Sequence, residues 1–287
     1  MPVLDVARLR AYAVPGCRDS YDARDTILYA LGTGAGLSAD LDELDWVFER
    51  NLKALPTMAL VLGTPGFWPM DPATGIDWPM LLHGEQRLRL FAPLRPQGTV
   101  VGTAALTGIA DKGLGNGALV RVGRELTDAR GVKIAETEET WVLRGQGGFG
   151  GARNLPGPGI APIPDGRPER SIVLPTSLQQ GLLYRLTGDR NPLHVDPAVA
   201  NRAGFDRPIL HGLAVMGLAG RALIHLCGGG DTLALTEMAV RFTAPVYPGD
   251  AIQVDLWRAS AQTAFRCSVP ARSEVVVEGV ATVTPDC

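Results

Sequence analysis

The stretch YRLTGDRNPLH, residues 184–194, sets a carboxylate at Asp189, a carboxamide at Asn191 and an imidazole at His194 around a proline. Carboxylates and imidazoles are the side chains most suited to moving protons near neutral pH. On a continuous helix five steps turn by about 140°, which would point Asp189 and His194 apart. Gly188 supplies a helix stop just before them, and Pro192 disfavours helical geometry at Asn191. Residues 189–194 therefore read as a turn that can aim both groups into one cavity. Downstream, an apolar helix starts near His211 and stops at Gly228-Gly229-Gly230. Its first N–H groups lack intrahelical acceptors and favour developing negative charge, and Gly212 has no side chain to obstruct an approaching carbonyl oxygen. An acid/base pair facing such an amide can add water across a double bond conjugated to a carbonyl, because attack at the β-carbon drives charge onto that oxygen. General acid–base help supplies about 10²–10⁴-fold and one oxyanion donor about 10²–10³-fold, so the chemistry needs both.

The elements that must hold these groups follow from spacing. Ser177 and Gln180 have capping-box spacing, and Leu178, Leu182, Leu183 and Leu186 form an apolar stripe, which predicts an amphipathic helix over 178–187. In the longer helix, Gly217 and Gly220 each cost about 1 kcal/mol relative to alanine, and so point to close approach of another backbone. A curved sheet around the helix is the expected source of that approach. Three extended segments, at 99–110, 118–126 and 132–143, are divided by Gly- and Asp-bearing turns; three more, at 252–260, 263–270 and 274–285, repeat the plan. The halves also echo one another in sequence. LYALGTGAG at 28–36 matches LYRLTGDRN at 183–191 with Tyr29 and Tyr184 in register, and Ala92-Pro93 matches Ala244-Pro245. The Gly- and Pro-rich stretch 145–170 keeps no apolar period and reads as a linker between a unit over 1–144 and a unit over 171–287.

Composition narrows the class. The chain has 287 residues, 46% of them hydrophobic and 20% charged, with a formal net charge of −3 and a pI near 5.8. That is an ordinary globular composition, with no electrostatic reason to expect nucleic acid or an anionic membrane as a partner. The apolar run 213–226 is broken by Arg221 and His225 and is shorter than the roughly 20 residues of a bilayer span. MPVLDVARLRAYAV carries charges through its apolar positions, unlike a signal peptide. Cys17, Cys227, Cys267 and Cys287 show neither CxxC spacing nor a small secreted frame, which fits a reducing, cytoplasmic setting.

YRLTGDRNPLHVD, followed by FDRPILHGLAVMG and VRFTAPVYPGD, resembles the signature of the MaoC-like dehydratase family, specifically the (R)-specific 2-enoyl-CoA hydratases called hydratase 2. The strong matches span residues 176–255, and the weaker echo between halves suits the family's double hot-dog members. The resemblance implies an α+β fold of two tandem units, each a curved antiparallel sheet, the second wrapped around a long helix and the first with that helix degenerate. It implies that Asp189 and His194 hold a water and shuttle its protons, that Asn191 orients them, and that the Gly212 amide binds the thioester oxygen. His211, Arg190 and Arg207 become candidates for contact with the substrate, an acyl-coenzyme A thioester of fatty-acid metabolism; no metal or other cofactor is implied, and chains can pair as dimers. The Tyr29 register puts Gly34 opposite Asp189 and Ala39 opposite His194, so one site per chain follows. FWPMDPATGIDWPMLLHG, 67–84, breaks helical periodicity with Pro and Gly, and a lost helix leaves room for medium, long or bulky acyl groups.

Plainer roles compete with these. Asp189 and Asn191 could simply close a turn; His211 could be first-turn packing; Arg190, Arg202 and Arg207 could form a solvated face. Asp189, His194, Asp196 and His211 lack the HxH or HExxH spacing of a metal site. His83-Gly84 echoes His211-Gly212 without a helix after it and reads as a structural relic, and the glycines of 145–151 precede no GK[ST] phosphate loop. A hot-dog thioesterase and a catalytically silent acyl-CoA-binding subunit are the rival functions.

Overall fold

The computed structural model describes residues 3–258 and 262–284. A short α1 (Val6–Ala11), capped by Asp5, precedes the first unit: β1 (Cys17–Tyr21), α2 (Ala23–Gly32), α3 (Leu44–Val47), then β2 (Leu81–Leu90), β3 (Gly98–Asp111), β4 (Ala118–Asp128) and β5 (Lys133–Leu143). The second unit runs β6 (Arg170–Pro175), α4 (Gln180–Tyr184), α5 (Pro197–Ala203), α6 (Gly212–Cys227), β7 (Leu235–Phe242), β8 (Ala251–Arg258), β9 (Thr263–Val269) and β10 (Glu274–Val283). The expected extension of the strand over 252–260, the last residue of 274–285 and Cys287 lie partly or wholly outside the described residues.

Among the described residues, ten strands form one antiparallel sheet in the order β1-β3-β4-β5-β2-β7-β10-β9-β8-β6. Read from either end, that order is the same unit twice, joined at β2 and β7. This is a double hot-dog. The seam is registered by Glu85 opposite Arg241 and Arg89 opposite Glu237, both ion pairs, at 2.8 and 2.9 Å. Each unit thus has five strands where alternation alone revealed three, because β1 and β6 are short edges and β2 and β7 do not alternate cleanly in sequence.

The helix α6 is buried along almost all of its length, which suits its lack of a polar face. Its glycines do mark close approach, although by side chains of the first unit and not by sheet backbone. A Cβ at Gly217 would stand 2.4 Å from the Thr33 methyl at the end of α2, and one at Gly220 would stand 3.0 Å from the Thr57 methyl. In the first unit the matching helix is replaced by 3₁₀ turns at Pro56–Leu60, Trp68–Met70, Pro72–Thr74 and Trp78–Met80. Prolines at the start of every one of these turns prevent fusion into a helix.

One further expectation is corrected. The stretch 178–187 is α4 plus a 3₁₀ turn at Arg185–Thr187, and it faces the other way: Gln180, Gly181 and Tyr184 are buried while Leu178, Leu182 and Leu186 are exposed. Helical period was legible there, but the face was set by Tyr184 packing against Tyr29 and α2. The stretch expected as a linker carries no helix or strand until Arg170, and its start packs on the first unit. Gly148 and Gly150 donate to the Asp111 carboxylate, and buried Gln146 bonds Asp77 and Gly75.

Candidate active site

Asp189, Asn191, His194 and Gly212 all line one cavity of about 320 Å³, which also takes its walls from the first unit at Val61, Gln86 and Trp141. The turn that carries three of them is built locally. Asn191 has extended geometry at ψ 122°, as Pro192 requires, and Pro192–His194 forms a single 3₁₀ turn closed by the Asn191 carboxamide on the Leu193 N–H, 3.0 Å. The Asn191 N–H donates to the Asp189 carboxylate at 3.1 Å. Asn191 therefore fixes the direction of Asp189 through its backbone.

His194 Nδ1 lies 2.9 Å from the Ile209 carbonyl. A carbonyl only accepts, so Nδ1 carries the proton and Nε2 is left with a free lone pair. Behind it, the His211 ring stacks on His194 at 3.7 Å, and its Nε2 donates to the Asp189 carbonyl at 3.2 Å. One ligating atom each of Asp189, His194 and His211 lie within 4.8 Å of one another. Gly212 is the first residue of α6, with His211 as its non-helical cap, and the Leu210 N–H ties the approach to the Val246 carbonyl at 2.7 Å. The Phe242 ring fills the space over Gly212, where an added Cβ would meet it at 3.0 Å.

Burial alone would raise the Asp189 carboxyl, but His211, His194, the Asn191 N–H and His83 outweigh it and hold it below its ordinary value. Burial lowers His194 despite Asp189 and the Ile209 carbonyl, and pushes His211 down to about 3. At neutral pH the site thus holds an anion beside a neutral imidazole. A water between them can be oriented by the first and deprotonated by the second.

The other candidates fall elsewhere. His211 is 1% exposed and stands behind the cavity wall as a support for the turn. Arg190 and Arg207 are exposed and do not line the cavity; Arg207 stacks over Tyr247. Asp196 caps α5. His83 does line the cavity, its ring edge-on to Phe242, with burial pushing it down to about 4. Sequence reading missed Gln86, Arg124, Thr137 and Glu139, which line it from the first unit. Their signal was a charge, amide or hydroxyl in the inward phase of otherwise apolar strands.

Fold and site together define the class: a double hot-dog protein whose second unit supplies a carboxylate, an imidazole and a helix-terminal amide to one cavity. Comparison narrows it. The profile of the MaoC like domain matches residues 160–279, and that of the MFE-2 hydratase 2 N-terminal domain matches 20–145. The chain is 43% identical over 253 residues to 3-hydroxyacyl-thioester dehydratase Y of Mycobacterium tuberculosis (strain ATCC 25618 / H37Rv), covering 86% of this chain and 85% of that one. It is 35% identical to the peroxisomal enoyl-CoA hydratase 2 of Arabidopsis thaliana, covering 94% and 93%. The crystal structure of a MaoC-like dehydratase from Phytophthora capsici superposes with a TM-score of 0.84 at 32% identity, covering 99% of this chain and all of that one. The chain belongs to the MaoC-like dehydratase family, in the branch with a hydratase 2 N-terminal domain.

Proposed function

We propose that the protein is an (R)-specific enoyl-CoA hydratase, or 3-hydroxyacyl-CoA dehydratase in reverse, acting on medium, long or bulky acyl chains. The observation that carries this is the convergence of Asp189, His194 and the Gly212 amide on a single cavity. His194 Nε2 takes a proton from water while Asp189 accepts that water's other hydrogen and aims it. The oxygen attacks C3, the C2–C3 π electrons move to form an enolate on the thioester oxygen, and the Gly212 N–H donates to that oxygen. The imidazolium returns its proton to C2 on the same face, giving syn addition with no atom unaccounted for. A thioesterase would direct the same water at C1 and release thiol. A silent binding subunit would do neither.

Following enoyl absorbance and free thiol in parallel separates the three. With crotonyl-CoA and a longer trans-2-enoyl-CoA, absorbance is lost without thiol release; thiol release, or no change at all, overturns the reading. Asp189→Asn and His194→Ala each lower kcat by about 10²-fold or more with circular dichroism unchanged. Wild-type turnover is the same with and without a chelator. We place the protein in a reducing compartment, a reading supported by the free Cys17, Cys227 and Cys267; among the described residues no helix is long and apolar enough to cross a membrane. Pairing of chains belongs to the same reading, supported by the exposed row Leu178, Leu182 and Leu186.

A further inference from the structure

Three strands of the first unit carry an inward row of side chains, part of which lines the cavity. On β4 the row is Ala118, Val120, Val122, Arg124, Leu126; on β5 it is Ala135, Thr137, Glu139, Trp141, Leu143. All are apolar and buried except Arg124, Thr137 and Glu139. The register places Glu139 between Gln86 of β2 on one side and Val122 on the other, with Thr137 opposite Arg124. These four polar residues therefore form one contiguous patch, and all four line the cavity that holds Asp189 and His194.

A carboxylate in such a place is destabilising unless a partner compensates it. Arg124 compensates it only from a distance: its guanidinium donates to the carbonyls of Ala59 and Leu60, at 3.1 and 2.9 Å, and of Leu62, and no ion pair with Glu139 forms among the described residues. Burial pushes the Glu139 carboxyl up to about 7, only in part offset by Arg124 and the Trp141 indole. Gln86 has committed its Nε2 to the Arg87 carbonyl, 3.0 Å, which leaves its oxygen as an acceptor beside His83. Above pH 7, where Glu139 is ionised, the patch offers mostly acceptors: two carboxylate oxygens, an amide oxygen and the Thr137 hydroxyl. Acceptors in an apolar wall match a neutral donor. A ketone would bring a further acceptor, and a carboxylate a like charge.

We propose that Glu139, with Gln86 and Thr137, selects thioesters whose acyl group carries a hydroxyl beyond the reacting carbons. This rests on the enoyl-thioester reading of the site and names its substrate class. The hydroxyl donates to Glu139 and accepts from Thr137, and a plain alkyl chain leaves the carboxylate without a partner. A site built to bond a hydroxyl discriminates against the analogue lacking it, because its buried polar groups then stay unpaired.

The test is a chain-length series of ω-hydroxy-trans-2-enoyl-CoA thioesters against their alkyl counterparts and against ω-keto analogues. At the length that brings the hydroxyl to Glu139, kcat/KM exceeds that of the alkyl thioester by about tenfold or more. Glu139→Leu removes the preference. Should that variant not fold, Glu139→Gln, which substitutes a donor, levels or reverses the preference of hydroxyl over ketone. Equal kcat/KM at every length, or a preference that survives substitution at 139, overturns the proposal while leaving hydration intact. If no enoyl thioester is hydrated, the function falls separately; calorimetric binding of saturated ω-hydroxyacyl-CoA against acyl-CoA then decides the proposal, with equal affinity overturning it.

Discussion

At the scale of residues, the site works by giving two neighbouring groups opposite burdens. Asp189 is kept below its ordinary pKa by the imidazoles and amide around it, and His194 is lowered by burial. A base functions when deprotonated, so the acid limb of kcat/KM is set by His194 and lies below the 6.5 of a free imidazole. A pH–rate profile checks this; an acid limb above pH 6.5 contradicts it. Asp189, Asn191 and His194 were legible because proline and glycine dictate the turn whatever surrounds it. His211 was not, since nothing in a sequence says whether a histidine at a helix start turns toward a cavity or behind it. Here its hydrogen bond to the Asp189 carbonyl and its stack on His194 draw it behind. Gly212 tests the oxyanion amide at the same scale. In Gly212→Ala the new methyl presses on Phe242 at 3.0 Å and shifts the amide or the ring. Steady-state kinetics should show kcat reduced by about tenfold or more, and an unchanged kcat would remove the amide from the mechanism.

Elements position these groups through a buried cross-link between the units. Arg221 of α6 donates to Glu43 at 2.6 Å and to the Thr33 carbonyl at 2.7 Å, Gly36 donates to the same carboxylate, and His225 completes the set. Arg221 and Glu43 have side chains only 1% exposed. Removing one partner of such a pair leaves the other charge uncompensated, so Glu43→Ala should lower unfolding free energy by about 3–5 kcal/mol in chemical denaturation. The sign with pH follows from the cause. Burial would raise Glu43, yet His225, Arg221 and the Gly36 N–H hold it below 4.5. Its contribution is therefore complete above that value and is lost as pH falls through the lower folded one. Glu43→Gln should flatten that part of the stability curve. The long helix was legible from its apolar run and terminal glycines. What Arg221 does inside it was not, because Glu43 lies far away in sequence and in a loop without periodicity.

For the whole molecule, the two units share a sheet plan but not a site. The sequence echo at Tyr29 and Tyr184 becomes a contact, the two rings lying 5.9 Å apart where α2 meets α4. On the first unit's side, the position matching Asp189 is Gly34 at φ +87°, where an added Cβ would stand 3.2 Å from the Arg221 guanidinium. The place of a second site is thus filled by the buried ion pair, while the lost helix of the first unit gives its walls to the site that remains. One ligand should therefore bind per chain. Sedimentation equilibrium should give a particle of twice the 30.4 kDa chain mass, and calorimetry with a saturated acyl-CoA should give one site per chain, two per particle. Two sites per chain would mean that the first unit binds acyl-CoA despite Arg221. A monomer retaining one site would leave the cavity reading intact and remove only the pairing, because Asp189, His194 and the Gly212 amide all belong to this chain.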